Sequence, residues 1–328
     1  MTHSPIDFLD KIQKINNNNQ FEKLALELFN YQFSSNSIYQ KYCLSLRKTP
    51  ENVKSLNNIP FLPISFFKSH EVKSGNYTPV IAFSSSGTTG MERSQHFVKD
   101  MEVYEKTFEK AFELFYDDPS NYVVIGLLPS YLEREGSSLV YMVDHLIKAS
   151  GHSKSGFYLN NYEELVGFLK DYQGEKQILL IGVSYALLDL GEMFEVDLSK
   201  YIVMETGGMK GKRKEMTKAT LHQTLQENLK LTTVHSEYGM TELMSQAYSK
   251  GNGVFQTPPW MKVLIREYND PFNYIENKTG GINVIDLANI DSCAFIETED
   301  LGKYNKDGFE VIGRLDTADL RGCNLLVQ

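Results

Sequence analysis

Between about residues 76 and 256 the apolar positions alternate between two rhythms. Met101, Tyr104, Phe108, Ala111, Phe112 and Phe115 recur at steps of three and four, the stripe of an amphipathic helix lying on a sheet. Residues 122–128 follow as a short apolar run of strand type, and 138–148 reads as helix again. Residues 178–183 and 201–204 predict buried strands, 212–228 a polar helix, and 232–234 the restart of strand. Apolar runs alternating with helices predict an α/β fold with a mostly parallel sheet covered by helices on both faces.

On either side the pattern changes. Before residue 75 it is helical, with Leu24, Leu26, Leu28 and Phe29 set among charges. Ile59-Pro60-Phe61-Leu62-Pro63 is an extended entry, because proline disfavours helix at the residue before it. Pro258-Pro259-Trp260 makes a stiff corner, where Trp260 reads as packing. The segments after it are short and β-rich: Gly280-Gly281 opens a strand over 282–287, and Asp307-Gly308 is a hairpin turn before 309–313. The expected organisation is an N-terminal helical segment (1–75) packed on an α/β core (76–256), then a smaller β-rich region (257–328).

Composition narrows the function classes. The 328 residues are 41% hydrophobic and 23% charged, ordinary for a globular protein. With 33 basic against 42 acidic residues the net charge is −9, which lacks the footprint of a nucleic-acid binder. The basic cluster of Lys210, Lys212, Arg213 and Lys214 suits the phosphates of a small ligand. No signal-peptide core opens the chain and no run approaches a membrane span. Cys43, Cys293 and Cys323 are odd in number, scattered and free of any CxxC spacing, which points to a reducing, cytoplasmic setting.

Two polar clusters carry candidate chemistry. A strand over 80–83 leads into Ser84-Ser85-Ser86-Gly87-Thr88-Thr89-Gly90. Glycines let backbone approach an anion, and hydroxyls with backbone N–H groups donate to phosphate oxygens. A flexible surface loop has the same composition, and no GxxxxGK[ST] spacing is present. The second cluster, His235-Ser236-Glu237-Tyr238-Gly239-Met240-Thr241-Glu242, follows a predicted strand where ligand crevices of α/β sheets form. Tyr238 offers a face for an adenine ring, Thr241 a hydroxyl for phosphate and Glu242 a hard oxygen for Mg2+. His96 and Asp100 spell HxxxD, a pattern that arises easily by chance.

Together these clusters resemble the adenylate-forming superfamily. Ser85-Ser86-Gly87-Thr88-Thr89-Gly90 is similar to its phosphate loop, and Tyr238-Gly239-Met240-Thr241-Glu242 to its YGxTE element. Gly207-Gly208 resembles the glycine turn of the adenine pocket. Thr298-Glu299-Asp300 resembles the segment whose aspartate binds the ribose, and Gly313-Arg314-Leu315-Asp316 the hinge whose arginine also reaches it. The chain departs from the pattern after the loop, where Met91-Glu92-Arg93 stands in place of Pro-Lys and Arg93 is the substitute cation. It also ends 15 residues beyond Gly313, without the mobile C-terminal lobe and lysine of typical members.

That short form resembles the acyl-protein synthetase (LuxE) family, related to the phenylacetate–CoA ligases. The segment from Ile59 to Lys68, the Pro-Pro-Trp corner and Arg321-Gly322-Cys323 are similar to elements of this branch. The resemblance implies that ATP, with Mg2+ on Glu242, converts a fatty or other carboxylic acid to its acyl-adenylate. Cys323 would then take the acyl group as a thioester for a partner such as a reductase subunit. It further implies that Arg314, Lys210 or a partner residue supplies the cation of the first step. Two other readings stay open: a phenylacetate-type acid–CoA ligase, and a nucleotide-binding subunit without catalysis.

Overall fold

The computed structural model describes residues 5–85, 93–129, 136–209, 212–214, 216–267 and 270–314. Three helices open the chain: α1 (Pro5–Ile12), α2 (Asn18–Ser35) and α3 (Ser37–Ser45). Asparagines start the second and third, Asn17 and Asn36 accepting from the backbone N–H of Gln20 and Tyr39. A two-residue strand, β1 (Leu62–Pro63), and one turn of helix, α4 (Phe66–Ser69), follow the prolines. The hairpin of β2 (Ile81–Ser84) and β3 (Gln95–Val98) then leads into α5 (Met101–Tyr116), whose buried face is the stripe read from the sequence.

Next come β4 (Tyr122–Leu127), α6 (Ser138–Ser150), β5 (Gly156–Tyr158), α7 (Tyr162–Asp171), β6 (Gln177–Val183), α8 (Ser184–Met193), β7 (Ile202–Thr206) and α9 (Lys218–Leu229). They are followed by β8 (His235–Tyr238) and β9 (Ala247–Ser249). The sheet order is β5-β4-β6-β7-β8-β9, with every pair parallel except β8 with β9. Beyond their first residues β4 and β6 are buried throughout, as parallel strands covered on both faces require. The chain steps outward from β4 to β5 and returns across β4 to β6. The connectivity therefore reverses between β4 and β6, which makes the crevice beyond their C-terminal ends the sheet's switch point.

The remaining strands are β10 (Val254–Phe255), β11 (Met261–Glu267), β12 (Asp270–Tyr274), β13 (Gly280–Asp286), β14 (Phe295–Asn305) and β15 (Gly308–Arg314). They form an antiparallel sheet ordered β10-β15-β14-β13-β11-β12, and β1 joins it in parallel on β14. Gly308 takes a φ of 145° in the β14–β15 turn, and a Cβ there would strike the carbonyl of Phe255. Trp260 is buried, as the corner predicts, and donates from Nε1 to Ser245 Oγ at 3.0 Å.

The strand expected over 232–234 begins instead at His235. Lys230 caps α9 in the left-handed region, Leu231 N donates to Gln226 O, and the Gln226 amide donates to Thr232 O. The chain is still leaving the helix there. Likewise α9 starts at Lys218, because Thr217 is the residue whose hydroxyl accepts an N-terminal N–H, that of Thr220.

Candidate functional site

The site is assembled where the β2–β3 hairpin meets the turn after β8. Ser85 and Ser94 close the hairpin reciprocally: Ser85 N donates to Ser94 O, and Ser94 N to Ser85 Oγ, each at 3.0 Å. This pins both stems of the candidate phosphate loop, whose residues Ser86, Gly87, Thr88, Thr89 and Gly90 lie outside the described residues. Arg93, at its far end, is exposed. The Ser94 hydroxyl also donates to the Glu242 carboxylate, tying the hairpin to the second cluster.

Three buried polar groups hold that second cluster in place. His96 donates from Nδ1 to Thr241 O at 2.8 Å, with Nε2 3.1 Å from Asn289 Oδ1. Asn289 in turn donates to Glu242 O at 2.7 Å. Burial, though partly offset by these oxygens, pushes the His96 imidazole down to about 4. His96 is thus a buried anchor of the turn, and no catalytic pair with Asp100 forms; Asp100 caps α5 instead. Asp286 accepts from Met244 N, Ser245 N and Ser245 Oγ at 2.6–2.9 Å, fixing the residues just beyond Glu242. Of these anchors only His96 stood out in the sequence, through a pattern that proves non-catalytic; Asn289 and Asp286 have no signal beyond their polarity.

Glu242 is buried, and desolvation raises its carboxyl above the usual range; the Ser94 hydroxyl and the charges of Arg314 and Lys68 pull against that shift. A divalent cation is a natural occupant of such a place, since it stabilises the ionised form that burial disfavours. Among the described residues no group of three or more His, Cys, Asp or Glu could hold a metal. One carboxylate fits Mg2+ that takes its other ligands from phosphates and water. Lys68 closes the Ile59–Lys68 segment that resembles the family, but the sequence assigns it no role. It sits on α4, whose Phe67 packs edge-on against His96 with ring centroids 6.2 Å apart.

Tyr238 is the last residue of β8, and its ring is closed in by Phe255 and Phe309 at 5.9 and 5.4 Å. Its hydroxyl donates to Asp300 Oδ2 at 2.8 Å. Arg314 Nε lies 3.5 Å from Asp300 Oδ1, its side chain 81% exposed. Tyr238, Asp300 and Arg314, spread over 77 residues of sequence, therefore form one cluster, with a carboxylate fixed on one side and a guanidinium free to reach solvent on the other. Gly239 follows, where a Cβ would strike the Glu237 carboxylate.

At the end of β7, Gly207 takes a φ of 68°, the left-handed conformation that glycine permits, and Gly208 has open space around it. Below this turn lies a carboxylate with no counterpart in the sequence reading. Glu205 is fully buried, and burial alone would raise its pKa. Lys218 Nζ at 2.6 Å, with His222 at 3.4 Å and hydroxyls of Ser184 and Ser236, outweighs that and holds it at about 2. Thr206 donates to Glu237, linking the ends of β7 and β8. Lys210 lies outside the described residues, while Arg213 is engaged with Asp189 and Glu192.

Cys323 also lies outside the described residues. The other two cysteines are buried: burial pushes the Cys43 thiol up to about 12 and raises that of Cys293 further. Neither supplies a thiolate near neutral pH. No helix among the described residues is long and apolar enough to cross a membrane.

Comparison with known proteins gives the chain relatives. The model of the family described as "Acyl-protein synthetase, LuxE" matches residues 5–328. A curated relative, the long-chain-fatty-acid–luciferin-component ligase of Photorhabdus luminescens, is 31% identical over 72 residues, 22% of this chain and 61% of that protein. Among solved structures, a 2-hydroxyisobutyryl-CoA ligase in its postadenylation state superposes with a TM-score of 0.66 at 9% identity, over 91% of this chain and 68% of its own. ATP-bound MatB from Rhodopseudomonas palustris gives 0.54 at 15% identity, over 71% of this chain. The chain spans about three fifths of the curated relative and about half of MatB. These likenesses establish the α/β fold of adenylate-forming enzymes.

Proposed function

Because the chain belongs to the LuxE acyl-protein synthetase family, we propose that it uses ATP to activate a carboxylic acid and passes the acyl group to a thiol. The observation that carries this reading is the convergence of the Ser85–Ser94 stem, Glu242 and the Tyr238–Asp300–Arg314 cluster at the C-terminal end of one parallel sheet. Asp300 accepts from the ribose hydroxyls and Arg314 closes over them. Gly207, Gly208, Tyr238 and Gly239 bound the adenine pocket. Ser85, Ser86, Gly87, Thr88, Thr89 and Gly90, with Thr241, donate to the phosphates. Glu242 holds Mg2+, which neutralises charge on the phosphates.

In the first step a carboxylate oxygen of the acid attacks the α-phosphorus, and the bond to pyrophosphate breaks, leaving acyl-adenylate. The protein's part is positioning and electrostatic stabilisation by fixed donors. In the second step the Cys323 thiolate attacks the acyl carbon, the acyl–oxygen bond breaks, and AMP leaves with the electron pair. The thioester then serves a partner protein, in a cytoplasmic setting that keeps the thiol reduced.

Acid-dependent exchange of labelled pyrophosphate into ATP tests the first step, and its absence with every acid sinks the reading. Labelled acid retained on the denatured protein, released by neutral hydroxylamine and lost in Cys323→Ser, tests the second. Label on added CoA with none on the protein would place the chain with the CoA ligases instead.

A further inference from the structure

The interior strand β7 carries one charged residue into the parallel sheet. Glu205 is fully buried between Met204 and Thr206, where a carboxylate suits neither a strand nor an apolar surrounding unless it is paired. Its partner, Lys218, is equally out of place as a helix residue. It opens α9, where the positive end of the helix dipole repels an ammonium, and no acidic residue stands in that first turn. Neither residue serves the element it belongs to, and each accounts for the other: Lys218 Nζ lies 2.6 Å from Glu205 Oε1. Against full burial, Lys218 keeps Glu205 ionised.

The pair stands at the base of the connection 207–217, which leaves β7 through Gly207-Gly208 and enters α9 at Lys218. It thus joins the two ends of the segment that carries the proposed adenine turn. The Ser184 hydroxyl, which donates to Glu205 Oε2 at 3.1 Å, lies 3.4 Å from Gly207 O, so the carboxylate holds a group that touches the turn itself. On its other side the Lys218 ammonium lies over the Phe255 ring, 5.7 Å from the centroid. Phe255 in turn packs edge-on against Tyr238 at 5.9 Å. One charge pair therefore reaches both walls of the proposed pocket, the glycine turn through Glu205 and the tyrosine through Lys218. Stability alone does not account for it, because uncharged residues of similar shape commonly stabilise such a place as well or better.

We propose that Glu205 and Lys218 are positioning residues for the base of the nucleotide: their pair clasps the Gly207-Gly208 turn against Tyr238 and so sets the preference for adenine. The inference rests on the reading that this pocket holds the adenine of ATP, and it names two residues that act on the base without touching it.

The test is binding of Mg·ATP, Mg·GTP and Mg·tripolyphosphate to the intact protein by calorimetry, alongside acid-dependent pyrophosphate exchange. Glu205→Gln combined with Lys218→Met removes both charges together, so that neither is left without its partner, with the melting temperature as the check on the fold. The double variant is expected to lose about tenfold in ATP affinity and most of the preference for ATP over GTP, while tripolyphosphate binds as in the parent. In exchange, the KM for ATP rises by the same factor and the maximal rate changes little. A preference unmoved in the double variant overturns the inference, as does a parent that binds ATP no better than GTP. An equal loss of ATP and tripolyphosphate binding also overturns it, since a pair that only supports the fold would act on both. Should the double variant not fold, Ser184→Ala, which cuts the link to Gly207, carries the test: the preference falls severalfold, and an unmoved preference again overturns the inference. Exchange separates the two readings. Exchange in the parent, with a preference unmoved in the variants, sinks the clasp and leaves acid activation standing. A preference lost in the variants, with no exchange in the parent for any acid, sinks acid activation and leaves the clasp.

Discussion

The proposed nucleotide site depends on single atoms that only one residue type can supply. Gly239 is such a position, because a methyl group there meets the Glu237 carboxylate, which Thr206 already holds. Gly239→Ala should therefore push Tyr238 and Thr241 off their present geometry and weaken ATP binding by tenfold or more, with the melting temperature moving little. An unchanged ATP Kd by calorimetry would show that the turn tolerates the shift. Tyr238→Phe is milder: it removes a hydrogen bond to a charged acceptor, a loss of order 1.5–3 kcal/mol. Asp300 then loses its fixed side, and ATP affinity should fall, with the loss smaller in an Asp300→Asn background because the two residues act together. Equal losses in both backgrounds would show independent roles. The motif residues were legible because their types are unusual: a tyrosine, glycines and a carboxylate in fixed order. Ser94, Asn289 and Asp286 were not, since their roles consist of contacts with residues far along the chain.

At the scale of elements, β3 and β13 hold the turn after β8 in place from opposite sides. His96 on β3 is the titrating member of that arrangement. Its folded pKa of about 4 lies below the ordinary histidine value near 6.5, so the unfolded chain takes up a proton first as pH falls. The stability it contributes is whole above about pH 6.5 and is lost progressively down to about pH 4. The gap between the two values corresponds to roughly 3 kcal/mol. His96→Gln should flatten the loss of stability between pH 6.5 and 4 relative to the parent, measured by urea denaturation across pH. A His96 resonance titrating at 6.5 or above would contradict the sign. On the other side, Asp286→Ala leaves the N–H groups of Met244, Ser245 and Ala288 unpaired and buried. Each orphan costs about 1–3 kcal/mol, so the urea midpoint should fall markedly, whereas Asp286→Asn keeps an acceptor and costs less. Most elements were readable where one face is apolar, as in α5. The helix α8 was not: six of its ten residues are buried, and it follows β6 without a turn, so neither stripe nor break marks it.

At the scale of the whole molecule, the first helices and the last sheet form a continuous packed unit although they stand at opposite ends of the chain. Gln32 on α2 donates to Asn289 O and Ile290 O at 2.8 and 3.0 Å and accepts from Ala294 N at 2.9 Å. Tyr39 on α3 stacks on Phe295 with centroids 6.0 Å apart, and Asn36 donates to Ser292 O. β1 extends β14 in parallel, pairing Leu62 with Ile296. Sequence periodicity assigns helices and strands but is silent on which of them touch across 250 residues, so this closure could not be read from it. It bears on the proposed site, because Asn289 reaches Glu242 O from the very segment that Gln32 supports. Gln32→Ala would leave two carbonyls and one N–H buried without partners, a cost of several kcal/mol at about 1–3 kcal/mol each. The same change should weaken ATP binding from a distance through the Asn289 link. The chain's one tryptophan, Trp260, reports on the C-terminal sheet, while far-UV circular dichroism reports on the helices. If the two ends fold as one unit, both signals follow a single urea transition in the parent and shift together in Gln32→Ala. A tryptophan transition that separates from the helical one would show that the C-terminal sheet holds its structure without the first helices, and that the site's support does not run through them.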